Sequence, residues 1–172
     1  AFFVGPMSED LGWSRSTLSW AITCRLAAAA LTAPLIGTLI DKCGARWLGV
    51  AAGVVTGTSI MALFFAHDLW LIYLLFALSG SIGLGGGPAA NLITQVPVAK
   101  WFIAKRGRAT AISMTGLAGG AVIGIPLCQW LIVSAGWRTG WLVFGFLLAI
   151  LIIPTFGLLM RRSPEDLGLL PD

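Results

Sequence analysis

Long apolar stretches separated by short polar connections run through almost the whole chain. Because a membrane-spanning helix needs about 20 mainly apolar residues, the pattern predicts five complete spans, at about 16–40, 47–66, 69–99, 109–134 and 138–160. A further apolar segment, at about 1–6, begins without an initiator Met or a signal-peptide architecture. We expect this segment to be the end of a truncated first span.

The connections between the predicted spans are short, so consecutive helices should run antiparallel. The sequence therefore predicts an all-α membrane protein, a polytopic helical bundle, over residues 1–160. At Arg161 the chain turns abruptly polar. We interpret residues 161–172 as the start of a linker that leaves the membrane.

The composition excludes a water-soluble fold. The chain is 58% hydrophobic and 10% charged, whereas soluble domains carry roughly 25% charged residues. The net charge of +4 is best explained by membrane orientation, so no nucleic-acid partner is predicted. The three cysteines, Cys24, Cys43 and Cys128, have none of the spacings of a disulfide framework or a zinc site. We expect Cys43 to lie in a loop and the other two in helices.

The positions of the basic residues predict which ends of the spans are cytoplasmic, because Lys and Arg are enriched in cytoplasmic loops. Eight of the 11 bases fall on one side, namely Lys42, Arg46, Lys100, Lys105, Arg106, Arg108, Arg161 and Arg162. We therefore expect segments 41–46, 100–108 and 161–172 to be cytoplasmic. Tryptophan favours membrane interfaces, and every Trp lies near a predicted span end: Trp13, Trp20, Trp47, Trp70, Trp101, Trp130, Trp137 and Trp141.

The end of the second span carries a motif of glycines, one acid and flanking bases. Asp41 lies at its own helix C-terminus, where a negative charge is unfavourable, so it should have a partner. The motif resembles the G-x-L-x-D-[RK]-x-G-x-[RK] signature of the major facilitator superfamily, matched at Gly37, Leu39, Asp41, Lys42, Gly44 and Arg46. The resemblance implies that these residues, with Arg108, form a cytoplasmic gate. The alternative is an interfacial carboxylate in a solvated ion pair.

The segment 101–120 joins an aromatic and basic stretch to a Gly-rich fifth span. Gly116, Gly120 and Gly124 are four residues apart, so another helix could approach that face closely, and Pro126 follows. The segment resembles the monocarboxylate porter family and the related oxalate/formate antiporter-like proteins. This resemblance implies the N-terminal six-helix half of a twelve-span transporter, which moves small organic anions by alternating access, actively or passively. The compact loops favour a bacterial inner membrane.

Arg25 is predicted to lie deep in the bilayer, about 15 Å along the second span at 1.5 Å per residue from Arg15. A charge at that depth is costly and usually faces a cavity or a partner. Arg25 could bind a substrate carboxylate, with Thr32 near the same face. The alternative is a structural arginine that snorkels outward or hydrogen-bonds backbone carbonyls.

The family resemblance also implies a cavity lined by the first, second, fourth and fifth helices, with Asn91 and Ser113 as polar lining residues. Hydrogen bonding between helices is the alternative for both. The glycines at 83–87 do not form a nucleotide-binding loop, because no strand precedes them and no Gly-Lys-Ser/Thr follows. Helix packing and gating are the two interpretations of this segment.

An intramembrane enzyme is not predicted. The only histidine, His67, lies in a short loop, so there is no metal-binding pair, and all seven acids fall outside the span interiors. We therefore expect no catalytic residues, no metal and no cofactor. The remaining alternative to a transporter is a non-transporting six-helix membrane protein, either a channel subunit or a scaffold.

Overall fold

The computed structural model describes residues 3–82 and 88–160, with only the backbone described at 88–92, 100, 117 and 159. The described chain consists of helices joined by short connections. In chain order they are α1 (Val4–Leu11), α2 (Arg15–Cys43), α3 (Ala45–Ala62), α4 (Leu69–Ser81), α5 (Pro88–Trp101) and α6 (Arg106–Pro154). A 3₁₀ turn, Leu63–Phe65, continues α3, and a π-helical turn, Thr155–Leu159, continues α6.

Two glycines with positive φ produce the chain reversals that bring long helices side by side. Gly44 (φ 80°) separates α2 from α3, and its N–H donates to the carbonyl of Ile40 at 2.9 Å. Gly136 (φ 81°, ψ 163°) divides α6 into two helical parts. Glycine has no Cβ to clash in this region of φ/ψ space, so each reversal needs only one non-helical residue. The prediction that Gly44 ends the second helix is confirmed.

Three of the described helical stretches are long and apolar enough to cross a membrane: Arg15–Cys43, Ala45–Phe65 and Arg106–Leu158. The last of these contains the predicted fifth and sixth spans, on either side of Gly136. The predicted fourth span is described in two parts, α4 and α5, and residues 83–87 between them lie outside the described residues. The prediction of an all-α helical bundle is confirmed.

Some element boundaries differ from the sequence prediction. The first helix continues to Leu11, where the N–H of Gly12 donates to the carbonyl of Ser8 at 3.1 Å, rather than ending near residue 6. Cys43 is the last residue of α2 and not a loop residue, because the reversal is completed by Gly44 alone. The predicted linker, 161–172, lies outside the described residues.

The apolar core consists of two clusters at opposite ends of the bundle. One lies where α1, α2 and α4 meet the second part of α6, and its buried members are Met7, Leu18, Ala21, Leu63, Ala66, Ile72, Leu75 and Trp137. The other lies beneath the α2–α3 reversal, and its buried members are Ile36, Ile40, Ala45, Leu48, Ala52, Ile93 and Phe156. We call these the N-side and the reversal-side clusters.

Helix α3 packs closely against the second part of α6. A Cβ added at Gly53 would lie 2.7 Å from Cγ2 of Ile152, and one added at Gly57 would lie 2.9 Å from Cβ of Ala149. At Gly49 a Cβ would overlap the ring of Phe156. Glycines at a four-residue spacing allow the two backbones to approach closely. The sequence analysis did not single out these three glycines.

Candidate functional site

Arg25 lies on the face of α2 that packs against the rest of the bundle. Ala21 and Ala29, which lie four residues before and four residues after Arg25, are both only 1% exposed. Steps of three and four residues return to the same face of a helix. The arginine side chain therefore starts from inside the packed face of α2, and not from its exposed side.

The guanidinium of Arg25 is incompletely satisfied. Its Nε is buried and has no hydrogen-bond partner among the described residues. Nearly all buried polar atoms in proteins have a partner, and the exceptions call for an explanation. A buried, unpaired N–H on a permanently charged group is a favourable position for an anionic ligand, because the ligand would supply the missing acceptor.

Helix α4 lies directly against the base of the Arg25 side chain. A Cβ added at Gly80 would be 2.8 Å from Cγ of Arg25 and would overlap its carbonyl oxygen. Two turns away, the hydroxyl of Tyr73 donates to the carbonyl of Thr17 at 2.8 Å. Helices α2 and α4 therefore contact each other closely from the start of α4 to the level of Arg25.

An apolar cavity of about 60 Å³ opens one helical turn before Arg25. Its lining residues are Phe3, Val4, Met7, Leu18, Ala21, Ile22, Ile72, Phe76 and Trp141. Trp141 stacks on Phe3 with ring centroids 3.9 Å apart, and its buried Nε1 has no partner among the described residues. The cavity could contact the apolar part of a small solute, and Arg25 lies one helical turn beyond Ala21 in its lining.

Among the predicted binding residues whose side chains are described, Thr32 and Ser113 do not form one compact site with Arg25. Thr32 lies seven residues further along α2, about 10 Å at 1.5 Å per residue, and its hydroxyl donates to the carbonyl of Ala28 at 2.8 Å. Ser113 is half-buried on α6, which is not among the helices that α2 packs against extensively in the described part of the chain. Asn91 lies on α5, but its side chain lies outside the described residues.

The predicted gate motif spans the α2–α3 reversal. Asp41 and Lys42 are exposed on the last turn of α2. Arg46 is the second residue of α3, and its guanidinium lies 5.8 Å from the centroid of the Trp47 ring. Gly37 has open space where its side chain would be. The reversal therefore presents acidic and basic groups together at one end of the bundle. Arg108 is exposed in the first turn of α6.

The face of α6 predicted to pack closely is not covered by any described residue. At Gly116 and Gly120 an added Cβ would meet no described atom within 4 Å, and at Gly124 it would meet only Cζ of Phe144, at 3.8 Å. Pro126 is exposed on the same helix, which continues through it. Any helix against Gly116 and Gly120 must therefore come from outside the described residues.

One polar cluster on the N-side was missed by the sequence analysis. The carboxylate of Asp10 accepts a hydrogen bond from Nε1 of Trp137 at 3.1 Å and pairs with the guanidinium of Arg138, also at 3.1 Å. The guanidinium of Arg138 lies 4.5 Å from the centroid of the Trp137 ring. Trp137 is only 6% exposed, so it is part of the buried N-side cluster. No local sequence signal links residues so far apart in the chain.

The structure defines the class of protein as an integral membrane protein built from a polytopic helical bundle. The defining features are the long apolar helices, the bundle core and the charged reversal between α2 and α3. The family description "Major Facilitator Superfamily" matches residues 1–171. The chain belongs to this superfamily.

Known relatives include proteins named as monocarboxylate transporters. Monocarboxylate transporter 14 of Mus musculus is 27% identical over 165 residues, which cover 95% of this chain and 31% of that protein. Monocarboxylate transporter 1 of Rattus norvegicus is 29% identical over 135 residues, or 77% of this chain and 26% of that protein. An uncharacterised MFS-type transporter, YcxA of Bacillus subtilis (strain 168), is 22% identical over 164 residues, or 95% of this chain and 40% of that protein. The chain therefore spans well under half the length of these relatives.

Proposed function

We propose that this chain is the N-terminal six-helix half of a transporter that moves small organic anions, of the monocarboxylate type, across a membrane by alternating access. The superfamily match and the names of the relatives support transport. The observation that carries the anion proposal is the buried Nε of Arg25, which has no partner among the described residues. Transport, and not catalysis, is the activity that we infer.

Arg25 is the proposed anion-binding residue. A charged side chain within a membrane span is expensive to bury and generally serves a cavity, a pathway or a partner. Its position between two buried alanines argues against an arginine that snorkels to the lipid surface. A guanidinium can bind a carboxylate through two parallel hydrogen bonds. Thr32, Asn91 and Ser113 remain candidates for contacts with other parts of the substrate.

The test is uptake by the full-length transporter carrying Arg25→Gln. A lost hydrogen bond between charged groups costs about 1.5–3 kcal/mol, so the KM of the transported anion should rise roughly 10- to 100-fold. The panel is lactate, pyruvate, formate and oxalate, with a neutral solute as a further substrate. Arg15→Gln, at the exposed start of α2, is the matched control. An unchanged KM in Arg25→Gln, or uptake of the neutral solute alone, would refute the anion proposal.

We also propose that a second six-helix half covers the uncovered face of α6 around Gly116 and Gly120. Large apolar side chains are exposed beside these glycines, including Ile112 and Ile123 at 72% and 73%. Such a surface needs lipid or protein against it. The test is the coding sequence downstream of residue 172, where six further apolar spans are expected. A stop codon there would refute the proposal and would favour the channel subunit or scaffold.

Alternating access is proposed to use the motif at the α2–α3 reversal, with Arg108, as a cytoplasmic gate. In transporters of this type two halves rock about a midplane site. A carrier shows saturable uptake that is accelerated by anion on the opposite side of the membrane, whereas a channel subunit or scaffold does not. Asp41→Asn should reduce this exchange while leaving the protein in the membrane. Equal exchange by Asp41→Asn and the unaltered protein would exclude the gating role.

The proposed location is the inner, or plasma, membrane of a bacterium, with segments 41–46, 100–108 and 161–172 cytoplasmic. Cys43 is exposed beside the reversal, so chemical labelling of its thiol from one side of the membrane tests on which side segment 41–46 lies. A membrane-impermeant maleimide should label it in inside-out vesicles and not in right-side-out vesicles. Labelling in right-side-out vesicles only would invert the proposed topology.

A further inference from the structure

We infer that Gly80 is a positioning residue for Arg25, which sets where the guanidinium lies in the proposed anion site. This inference rests on the proposed function. A Cβ at Gly80 would be 2.8 Å from Cγ of Arg25 and would overlap its carbonyl oxygen. The absence of a side chain at Gly80 is therefore what lets α4 lie against α2 at the level of the charge.

The overlap at Gly80 cannot be relieved by rotating a flexible side chain. The carbonyl of Arg25 is part of the backbone of α2, and its direction is fixed by the helix. The Cγ atom is the second atom of the side chain, so moving it moves the whole guanidinium. Any side chain at Gly80 must therefore displace either α4 or the segment of α2 that carries Arg25.

Helix α4 has little freedom to move away from Arg25, because it is held on two sides. Towards α2, the hydroxyl of Tyr73 donates to the carbonyl of Thr17 at 2.8 Å. Towards α3, the buried hydroxyl of Thr56 donates to the carbonyl of Ser79, next to Gly80, at 3.2 Å. With α4 fixed at both contacts, we expect the displacement to be taken up largely by Arg25.

The expected consequence is a loss of anion affinity and not of the fold. Recognition of a carboxylate by two parallel hydrogen bonds requires the guanidinium to be accurately placed, and a misplacement of about 1 Å can cost about 100-fold. The shift at Cγ is somewhat smaller, about 0.7 Å to reach the 3.5 Å of ordinary carbon contact, and the overlapped carbonyl oxygen of Arg25 must move with it. We expect Gly80→Ala to raise the KM of the transported anion about tenfold, with Vmax largely retained.

The experiment is a double-mutant cycle in the full-length transporter, with the anion that the unaltered protein takes up from the panel above. The variants are Gly80→Ala, Arg25→Gln and the two combined. Gly57→Ala is the matched control, because it also forces a Cβ into a close helix contact, 2.9 Å from Cβ of Ala149, but on the α3–α6 side. Interacting residues give non-additive effects, so Gly80→Ala should change KM little once Arg25 is already Gln.

The outcomes distinguish a failure of the proposed anion site at Arg25 from a failure of the positioning role of Gly80. An unchanged KM in Arg25→Gln refutes the proposed anion site, and this inference falls with it. A raised KM in Arg25→Gln together with an unchanged KM in Gly80→Ala overturns only the positioning role. Equal KM changes in Gly80→Ala and Gly57→Ala, or additive changes in the double variant, overturn it as well.

A second variant covers the case in which Gly80→Ala does not reach the membrane. Tyr73→Phe removes the hydroxyl that holds the same helix pair and adds no atom. It should raise the KM of the anion about twofold to threefold in the presence of Arg25 and have no effect in the Arg25→Gln protein. An unchanged KM in Tyr73→Phe, or a rise that persists without Arg25, would overturn the positioning role by an independent route.

Discussion

Gly57→Ala tests the physical basis of the α3–α6 contact. The two nearest atoms to a Cβ at Gly57 are Cβ of Ala149 at 2.9 Å and the carbonyl oxygen of Gly145 at 3.2 Å. Neither can rotate away, because one is attached to the backbone and the other is part of it. The contact is reciprocal, since a Cβ at Gly145 would lie 2.8 Å from the carbonyl oxygen of Gly57. The substitution should therefore force the two helices apart.

The size of the effect follows from these distances. Carbon atoms pack best at about 3.5–4.0 Å, so the helices must separate by roughly 0.6 Å or more at Gly57. Overpacking of this kind costs about 1–3 kcal/mol, and exchanging Gly for Ala inside a helix returns up to about 1 kcal/mol. We expect a net loss of about 1–2 kcal/mol. For a chain of this size each kcal/mol shifts Tm by about 2–4 °C, so Tm should fall by about 2–8 °C.

The assay is thermal unfolding in detergent, followed by the intrinsic fluorescence of the eight tryptophans. Gly157→Ala is the matched control, because its added Cβ would lie 3.6 Å from Cγ2 of Val50, which is an ordinary contact in the same helix pair. That control should leave Tm unchanged or raise it slightly. If Gly57→Ala and Gly157→Ala unfold at the same temperature, close backbone approach is not what holds these helices together.

Three further predictions concern the remaining contacts. Asp10→Asn removes the half-exposed ion pair with Arg138 and weakens the hydrogen bond to the buried indole of Trp137, so the free energy of unfolding should fall by about 1 kcal/mol, measured as a lower Tm. The control Asp68→Asn, in an exposed connection, should leave Tm unchanged. Thr56→Val keeps the shape of a side chain that is 2% exposed but removes its hydroxyl, so the free energy of unfolding should fall by about 1 kcal/mol. An unchanged Tm would contradict a stabilising hydrogen bond from Thr56 to the carbonyl of Ser79 on α4. In detergent, a maleimide should modify the exposed Cys43 at least tenfold faster than the buried Cys128, as measured by mass spectrometry, and equal rates would contradict the packing around α6.

The candidate site shows what the sequence could and could not predict. The depth of Arg25 followed from counting residues along one helix, and the reversal at Gly44 followed from a glycine placed among polar residues at the end of an apolar run. Both are local properties; the structure confirms the reversal at Gly44 and places Arg25 within α2, whereas its depth in the bilayer stays a prediction. The contact of Gly80 with Arg25 could not be predicted, because it depends on how α4 packs against α2.

The sequence by itself determined the helical character of the chain and its fold class. In a membrane every backbone polar group must be satisfied within its own segment, so an apolar run of sufficient length forms a helix whatever its neighbours are. The tertiary structure alone decided which helices meet. The spacing of Gly49, Gly53 and Gly57 is visible in the sequence, as is that of Gly116 and Gly120, yet within the described part of the chain only the first set packs against another helix. The reason is that small residues permit close approach on any helix face, whereas the partner is selected by complementary shape and charge across residues far apart in the chain.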